Sequence, residues 1–291
     1  MQEKIGYLIR SILNFNQPRA CPNCGSMTNH VIDEKYIVTK LLKCADCKLS
    51  FRYPTDSKAF LNDFYQSAYQ AHYSDETKSI TDLPTDEELV KLMKDNFPGK
   101  RNHSPFVYAL LKSYSANVLD YGCSWGYSVH HLKHAGYNAE GFEISRPRAN
   151  FGKKINVNIH YKEDSVPKGL DMIMSNHAIE HIPTISDFVK FSASRLTQDG
   201  IFMAFCPNGS DEYKRREPEI FHVNWGFLHP NYLDISFASH LFHNNPYLLL
   251  TGDWNYDTDV LKAWDGVSQQ TGELRDGKEL LIIAKPNIIL K

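Results

Sequence analysis

The chain has 291 residues, 42% hydrophobic, 12% aromatic and 23% charged, proportions that exclude wholesale disorder and fibrous repeats and allow one large domain with an appendage. With 32 Lys and Arg against 34 Asp and Glu, the formal charge is −2, which offers none of the concentrated basic surface that phosphate neutralisation requires, so nucleic acid is not an expected partner. The longest apolar stretches, Pro246 to Thr251 and Glu279 to Ala284, fall far short of the roughly 20 residues of a bilayer crossing, so no membrane span is expected.

At the N-terminus, Ile5, Leu8, Ile9, Ile12 and Leu13 recur at the spacing of one helix face. Arg10 interrupts them, unlike a secretory h-region, so the expectation is a short helix packed on its own protein, with peripheral contact at a membrane interface as the alternative. Cys21 and Cys24 form one CxxC unit and Cys44 and Cys47 a second, 19 residues on, a spacing within the zinc-site range. Two such turns bring four thiolates around one ion and leave no open position for water, so a structural Zn2+ is expected, in a reducing compartment such as the cytoplasm. Between the knuckles, Val31 to Leu42 reads as strand or hairpin, because Tyr36, Ile37, Val38 and Thr39 favour a pleated surface. Residues 1 to 54 carry eight Lys and Arg against four Asp and Glu, too small an excess for a nucleic-acid module, which favours a scaffold or a lid over the substrate.

Further along, Phe60, Leu61, Phe64, Tyr65, Ala68 and Tyr69 recur at helical spacing, and Thr85-Asp86-Glu87-Glu88 has the form of a capping box opening a second helix. Three units are therefore expected: an N-terminal helix and ribbon over 1–54, a helical linker or lid over 55–103, and a larger domain over 104–291.

The larger domain begins with Asn117 to Gly122, a short apolar strand ending in Asp120 and a glycine. Cys123-Ser124-Trp125-Gly126 then leads into a helix from Tyr127 to Ala135. The next strand, Ala139 to Ile144, places Glu143 17 residues beyond Gly126, where a carboxylate accepts hydrogen bonds from ribose hydroxyls. A dinucleotide loop puts its first two glycines two apart, whereas Gly122 and Gly126 are four apart. The pattern DYGCSWG resembles the first motif of the class I S-adenosylmethionine-dependent methyltransferases, (D/E)xGxGxG, with Ser124 in place of the middle glycine. The downstream order is similar to the family as well. Asn158 to Tyr161 reads as a strand followed by Asp164, which the resemblance places near the adenine amino group. Asp171 to Asn176 is a further strand before His177-Ala178-Ile179-Glu180-His181, Asp187 to Leu196 a helix, and Gly200 to Phe205 a strand. The two terminal apolar stretches, with no full helix between them, complete the pattern. The resemblance covers roughly residues 104 to 285 and implies a Rossmann-like α/β fold. Its sheet would be seven-stranded and mostly parallel, closed by an antiparallel terminal hairpin, and the small N-terminal zinc ribbon would be added to it.

The resemblance further implies that Asp120, Gly122, Cys123, Gly126, Glu143, Asp164, Asn176 and His177 surround S-adenosylmethionine. Methyl transfer to a hydroxyl needs a base, and the loops after the fourth and fifth strands make His177, His181, His222 and His229 the candidates, with His181 or His222 preferred and Glu180 beside them. A second divalent metal is a sharper idea: His177, Glu180 and His181 form HxxEH, with His222 as a fourth ligand, a nitrogen-rich set suited to zinc or iron. In the insert from Asn208 to Pro230, Arg215 and Arg216 are candidate contacts for an acceptor phosphate, and Phe221 and Trp225 candidate stacking surfaces. Family members with a similar CxxC module act on sugar nucleotides or surface-glycan precursors, which points to a small-molecule or glycan acceptor. An RNA methyltransferase using the ribbon as a substrate module and a non-catalytic scaffold are the alternatives.

Overall fold

The computed structural model describes residues 2–66, 82–94, 102–226 and 229–286; Ala68 and Tyr69, read above as part of a helix, lie outside them. Helix α1 (Gln2–Leu13) precedes strands β1 (Asn29–Lys35), β2 (Thr39–Cys44) and β3 (Ser50–Tyr53) and helices α2 (Lys58–Gln66), α3 (Asp86–Lys94) and α4 (Ser104–Leu111). Strands and helices then alternate: β4 (Asn117–Tyr121), α5 (Tyr127–His134), β5 (Asn138–Phe142), α6 (Arg146–Phe151), β6 (Ile159–His160), β7 (Leu170–Asn176), α7 (Ile185–Arg195) and β8 (Leu196–Pro207). The chain continues through α8 (Asp211–Arg216), α9 (Pro218–Asn224), β9 (Asn231–Tyr232), α10 (Ile235–Leu241), β10 (Tyr247–Gly252), α11 (Thr258–Ala263), β11 (Gln269–Thr271) and β12 (Glu279–Ala284).

The large sheet has the order β11-β10-β12-β8-β7-β4-β5-β6. Strands β4 to β8 pair in parallel, and β12 runs antiparallel to both β8 and β10. This is the mostly parallel, Rossmann-like sheet expected. Helices cover both faces of such a sheet, so its inner strands read as unbroken apolar runs, and Met172 to Met174 and Phe202 to Ala204 are fully buried. The sheet has eight strands where seven were expected, and the six-residue α11 with the edge strand β11 separates β10 from β12. Gln269-Gln270-Thr271 is exposed throughout, so no apolar pattern marked it as a strand. From β4 the chain winds one way through β5 and β6, then returns to β7 on the other flank. That reversal opens a crevice beyond the carboxyl ends of β4, β5 and β7.

The second sheet has the order β1-β2-β3-β9. The expected hairpin between the cysteine pairs is formed by β1 and β2. Its fourth strand comes from far along the chain: Asn231 and Tyr232 pair with Phe51 and Ser50, and Arg52 N–H donates to the Pro230 carbonyl at 2.7 Å. Cys21, Cys44, Cys47, Leu42 and Phe51 share one apolar cluster with Ile179, Ile185, Phe188 and Leu233.

Helix α1 packs through Tyr7 and Ser11, while Ile9, Ile12 and Leu13 of its apolar stripe are exposed. Three contacts accompany this packing: Arg10 lies 3.5 Å from Asp56 and 3.9 Å above the Phe60 ring, and the Arg52 guanidinium sits against the Tyr7 ring. The capping box forms as read: Thr85 N–H donates to Glu88 Oε2 at 2.7 Å and Glu88 N–H to Thr85 Oγ1 at 3.2 Å. No helix among the described residues is long and apolar enough to cross a membrane.

Candidate functional site

The crevice encloses about 650 Å3, and its wall includes Tyr121, Gly122, Glu143, Asp164, His177 and His181. The loop after β4 is shaped by residues with positive φ. Gly122 has φ +82, and a Cβ there would lie 2.3 Å from the Ala178 Cβ, so only glycine lets the two loops meet. Its N–H and that of Cys123 both donate to the Phe142 carbonyl, at 2.8 and 3.1 Å, which ties the turn to the end of β5. Ser124 takes φ 52, the left-handed conformation that a glycine would adopt freely. Arg148 holds it there by donating from Nη1 to its Oγ at 2.7 Å. Gly126 has φ +95 and packs against the Val157 side chain, which a Cβ would approach to 2.6 Å.

Glu143 stands at the end of β5, 6% exposed. Its Oε2 accepts from Ser124 N–H at 3.0 Å and its Oε1 from Ser145 N–H at 2.8 Å. Burial raises its carboxyl above the ordinary range, against the opposing pull of those two donors and of Arg148. Each oxygen keeps a lone pair for another donor. Across the crevice, Tyr121 O–H donates to Glu163 Oε1 at 2.6 Å, and the Tyr121 ring stacks on Phe142 at 4.5 Å. Asp164 follows Glu163 in the wall.

At the other end of the crevice, His177 takes a left-handed backbone (φ 51) and lies between two carboxylates, its Nε2 2.7 Å from Glu279 Oε2 and its Nδ1 3.5 Å from Glu180 Oε1. Burial opposes its charged form, but the attraction of Glu180 and Glu279 outweighs burial and raises His177 to about 9. It is therefore an imidazolium at neutral pH, stacked on Trp254 at 5.1 Å. Burial also opposes ionisation of Glu180, yet His177, His181 and His229 lower it to about 2. Glu180, His181 and His229 form a group with ligand atoms all within 4.8 Å of one another.

The sequence-derived candidates thus separate. Gly122, Glu143, Asp164, His177 and His181 line the crevice; Asp120, Cys123, Gly126, Asn176 and Glu180 lie off its lining. His222 stands elsewhere, half exposed on α9 with its Nδ1 2.9 Å from Asp33 Oδ2, so it joins neither the crevice nor the HxxEH group; its place beside Glu180 and His181 is taken by His229. Phe221 and Trp225 are buried in a third apolar cluster with Tyr213 and Tyr232, and the Trp225 indole N–H donates to Asp33 at 2.7 Å. Arg215 is exposed with Glu212 as its neighbour, and Arg216 pairs with Asp253 at 2.8 Å. Sequence reasoning missed Tyr121, Glu163 and Glu279. Glu163 adjoins a residue that was named, and Tyr121 stood in the loop motif; Glu279 opens the last strand and meets His177 only through the β8–β12 pairing.

The four ribbon cysteines converge with Cys21 Sγ 3.5 Å from Cys47 Sγ and Cys24 Sγ 3.6 Å from Cys44 Sγ. With metal–sulfur bonds of about 2.3 Å, a tetrahedral shell needs sulfurs roughly 3.8 Å apart, so the four thiols fit one zinc ion.

Comparison with known proteins gives a family for the chain. A family model described as a methyltransferase domain matches residues 86–256. No curated protein matches the chain. Among solved structures, the plantazolicin methyltransferase in complex with S-adenosylhomocysteine is 12% identical, with 78% of this chain and 98% of that one covered and a TM-score of 0.47. The magnesium protoporphyrin IX methyltransferase of Synechocystis PCC 6803 is 10% identical, covering 78% and 99% at a TM-score of 0.47. An S-adenosylmethionine-dependent methyltransferase of Archaeoglobus fulgidus is 16% identical, covering 67% and 98% at 0.43.

Proposed function

Because the chain belongs to the methyltransferase-domain family and is an S-adenosylmethionine-dependent methyltransferase, we propose that the crevice seats the nucleoside against the 121–126 turn and methylates a hydroxyl of a small-molecule or glycan-type acceptor. One observation carries the reading: at the sheet's reversal point, a buried carboxylate, Glu143, is fixed by two backbone donors, lines a nucleoside-sized crevice and keeps acceptor capacity on each oxygen. In this reading Glu143 accepts from the ribose diol. Gly122 brings backbone to the ligand, Asp164 accepts from the adenine amino group, and His177 borders the methionine end, while Asn176 before it lies off the lining. Asp120, Cys123 and Gly126 hold the loop's shape from behind.

Bound S-adenosylmethionine supplies a methyl group already activated on a sulfonium, so the chain's task is to align the acceptor and remove its proton. His177, already protonated, has no lone pair for that proton. His181 has the suitable place: it lines the crevice and its imidazolium would be stabilised by ionised Glu180. His222, paired with Asp33, takes no part. The four ribbon cysteines hold structural Zn2+, and thiols kept for a metal suit a reducing compartment such as the cytoplasm.

A second reading of the same corner rests on the Glu180–His181–His229 group, two imidazoles and a carboxylate, which suits a divalent transition metal that would bind the acceptor oxygen directly. Metal analysis separates the two: more than one equivalent per chain favours it.

Calorimetric titration with S-adenosylhomocysteine tests the whole proposal. Binding with His181→Ala as tight as wild type, together with slowed methyl transfer into an acceptor-containing extract, is expected. No binding by the wild-type chain would leave a scaffold that retains only the fold.

A further inference from the structure

We infer that the metal knuckle forms a working part of the crevice: Asn23, between Cys21 and Cys24, is a positioning residue for the wall at 182–188, so that filling the four-thiolate site sets the affinity of the crevice for its nucleoside. The inference rests on the cofactor and zinc assignments proposed above.

Ile182, Pro183, Thr184, Asp187 and Phe188 line the crevice at the entry to α7. The first turn of a helix leaves backbone N–H groups without intrahelical acceptors, and the residue preceding the helix ordinarily satisfies one of them through its side chain. Thr184 precedes α7 and makes no such bond. The missing acceptor comes from a segment 163 residues away: Ser186 N–H donates to Asn23 Oδ1 at 2.8 Å, and Ser186 Oγ–H to the Asn23 carbonyl at 3.3 Å. The knuckle therefore caps the helix in place of the local residue.

Asn23 can do this only while its two-residue loop keeps its shape. The bonds Gly25 N–H to Cys21 carbonyl and Cys21 N–H to Ser26 carbonyl, both 2.8 Å, brace the loop, and convergence of Cys21 and Cys24 on one ion would lock it. The wall is held at its other end as well. Asn231, buried in the strand that completes the N-terminal sheet, donates from Nδ2 to the Ile182 carbonyl at 2.7 Å. The position of the wall passes on to the ligand side, since the Phe188 ring lies 4.2 Å from that of Tyr121, which bonds Glu163.

The test uses the full chain in three forms, wild type, Asn23→Ala and Asn23→Asp. Three readouts are taken: zinc content by mass spectrometry, affinity for S-adenosylhomocysteine by calorimetry, and hydrogen exchange at the Ser186 amide. Asn23→Ala should keep the wild-type zinc content, exchange faster at Ser186 and bind S-adenosylhomocysteine about three- to tenfold more weakly, the reach of one neutral hydrogen bond. Asn23→Asp, whose carboxylate still accepts from Ser186, should restore both exchange and affinity. Unchanged affinity in Asn23→Ala overturns the inference, as does equal weakening in both variants. Loss of zinc from Asn23→Ala also overturns it, by making the residue part of the metal site's own fold. If the wild-type chain itself fails to bind S-adenosylhomocysteine, the cofactor assignment falls instead.

Discussion

Replacing Glu143 with alanine removes a carboxylate that serves two sets of donors. Its two oxygens accept from the Ser124 and Ser145 N–H groups at 3.0 and 2.8 Å, and the side chain lines the crevice with acceptor capacity left for a ligand. A hydrogen bond to a charged group contributes about 1.5–3 kcal/mol, and at 6% exposure solvent compensates for little of its loss. Losing one such bond to the ribose should raise the dissociation constant for S-adenosylhomocysteine roughly 10- to 150-fold at about 1.4 kcal/mol per decade. The two serine N–H groups would be stranded as well, each costing about 1–3 kcal/mol of stability, so the melting temperature should fall by several degrees. Glu143→Gln retains the volume and one acceptor oxygen but turns an amide NH2 toward a backbone donor, so its affinity should lie between the other two. Calorimetric titration at a temperature where all three chains are folded reads the order directly. A dissociation constant within twofold of wild type in a folded Glu143→Ala chain would refute the reasoning that this carboxylate holds the sugar.

Other outcomes follow from the same geometry. Gly122→Ala should destabilise the fold by about 1–3 kcal/mol, through a positive φ and a Cβ forced to 2.3 Å from Ala178, measured by chemical denaturation; wild-type stability would mean the loops part easily. Cys24→Ser should lose the ribbon zinc and loosen the N-terminal sheet, and retention of a full equivalent by mass spectrometry would argue against the four-thiolate site. Burial, with repulsion from His134 and His131, depresses His130 to about 4. The unfolded chain, with an ordinary pKa near 6.5, takes up that proton first as pH falls. Stability contributed by neutral His130 is thus present above about pH 6.5 and lost progressively toward pH 4. Denaturant midpoints at pH 7 and pH 5 should differ less in His130→Asn than in wild type.

What could be read in the sequence was what local physics determines. The glycine spacing, the acidic end of β5 and the alternation of apolar runs with amphipathic stretches are encoded within about twenty residues, and the mostly parallel sheet and the place of Glu143 at a strand end followed from them. The cysteine pairs were legible for the same reason, since two thiols three apart share a turn. Contacts between distant segments were not. Asn231 and Tyr232 are too few to show a strand period, and only pairing with Ser50 and Phe51 makes them one. Glu279 read as the start of an apolar strand; its meeting with His177 depends on a register set 102 residues away. His222 and His229 are equivalent on composition, and the path of the insert alone decides that one faces Asp33 and the other Glu180. Helix α1 and its packing on the protein were legible, but the face was not, since Tyr7 and Ser11 are buried while Ile9, Ile12 and Leu13 are exposed.

Asn231–Tyr232 stitches the amino-terminal sheet to a segment lying between the catalytic sheet's own strands. A truncation beginning after residue 54 would strip that stitch of its partner and bare Ile179, Ile185, Phe188 and Leu233 to water. Grafting the ribbon onto a foreign enzyme would in turn leave Phe51 without its neighbour. Neither half is a cassette: removing or exchanging one leaves the other with an uncovered apolar face and an unpaired strand edge.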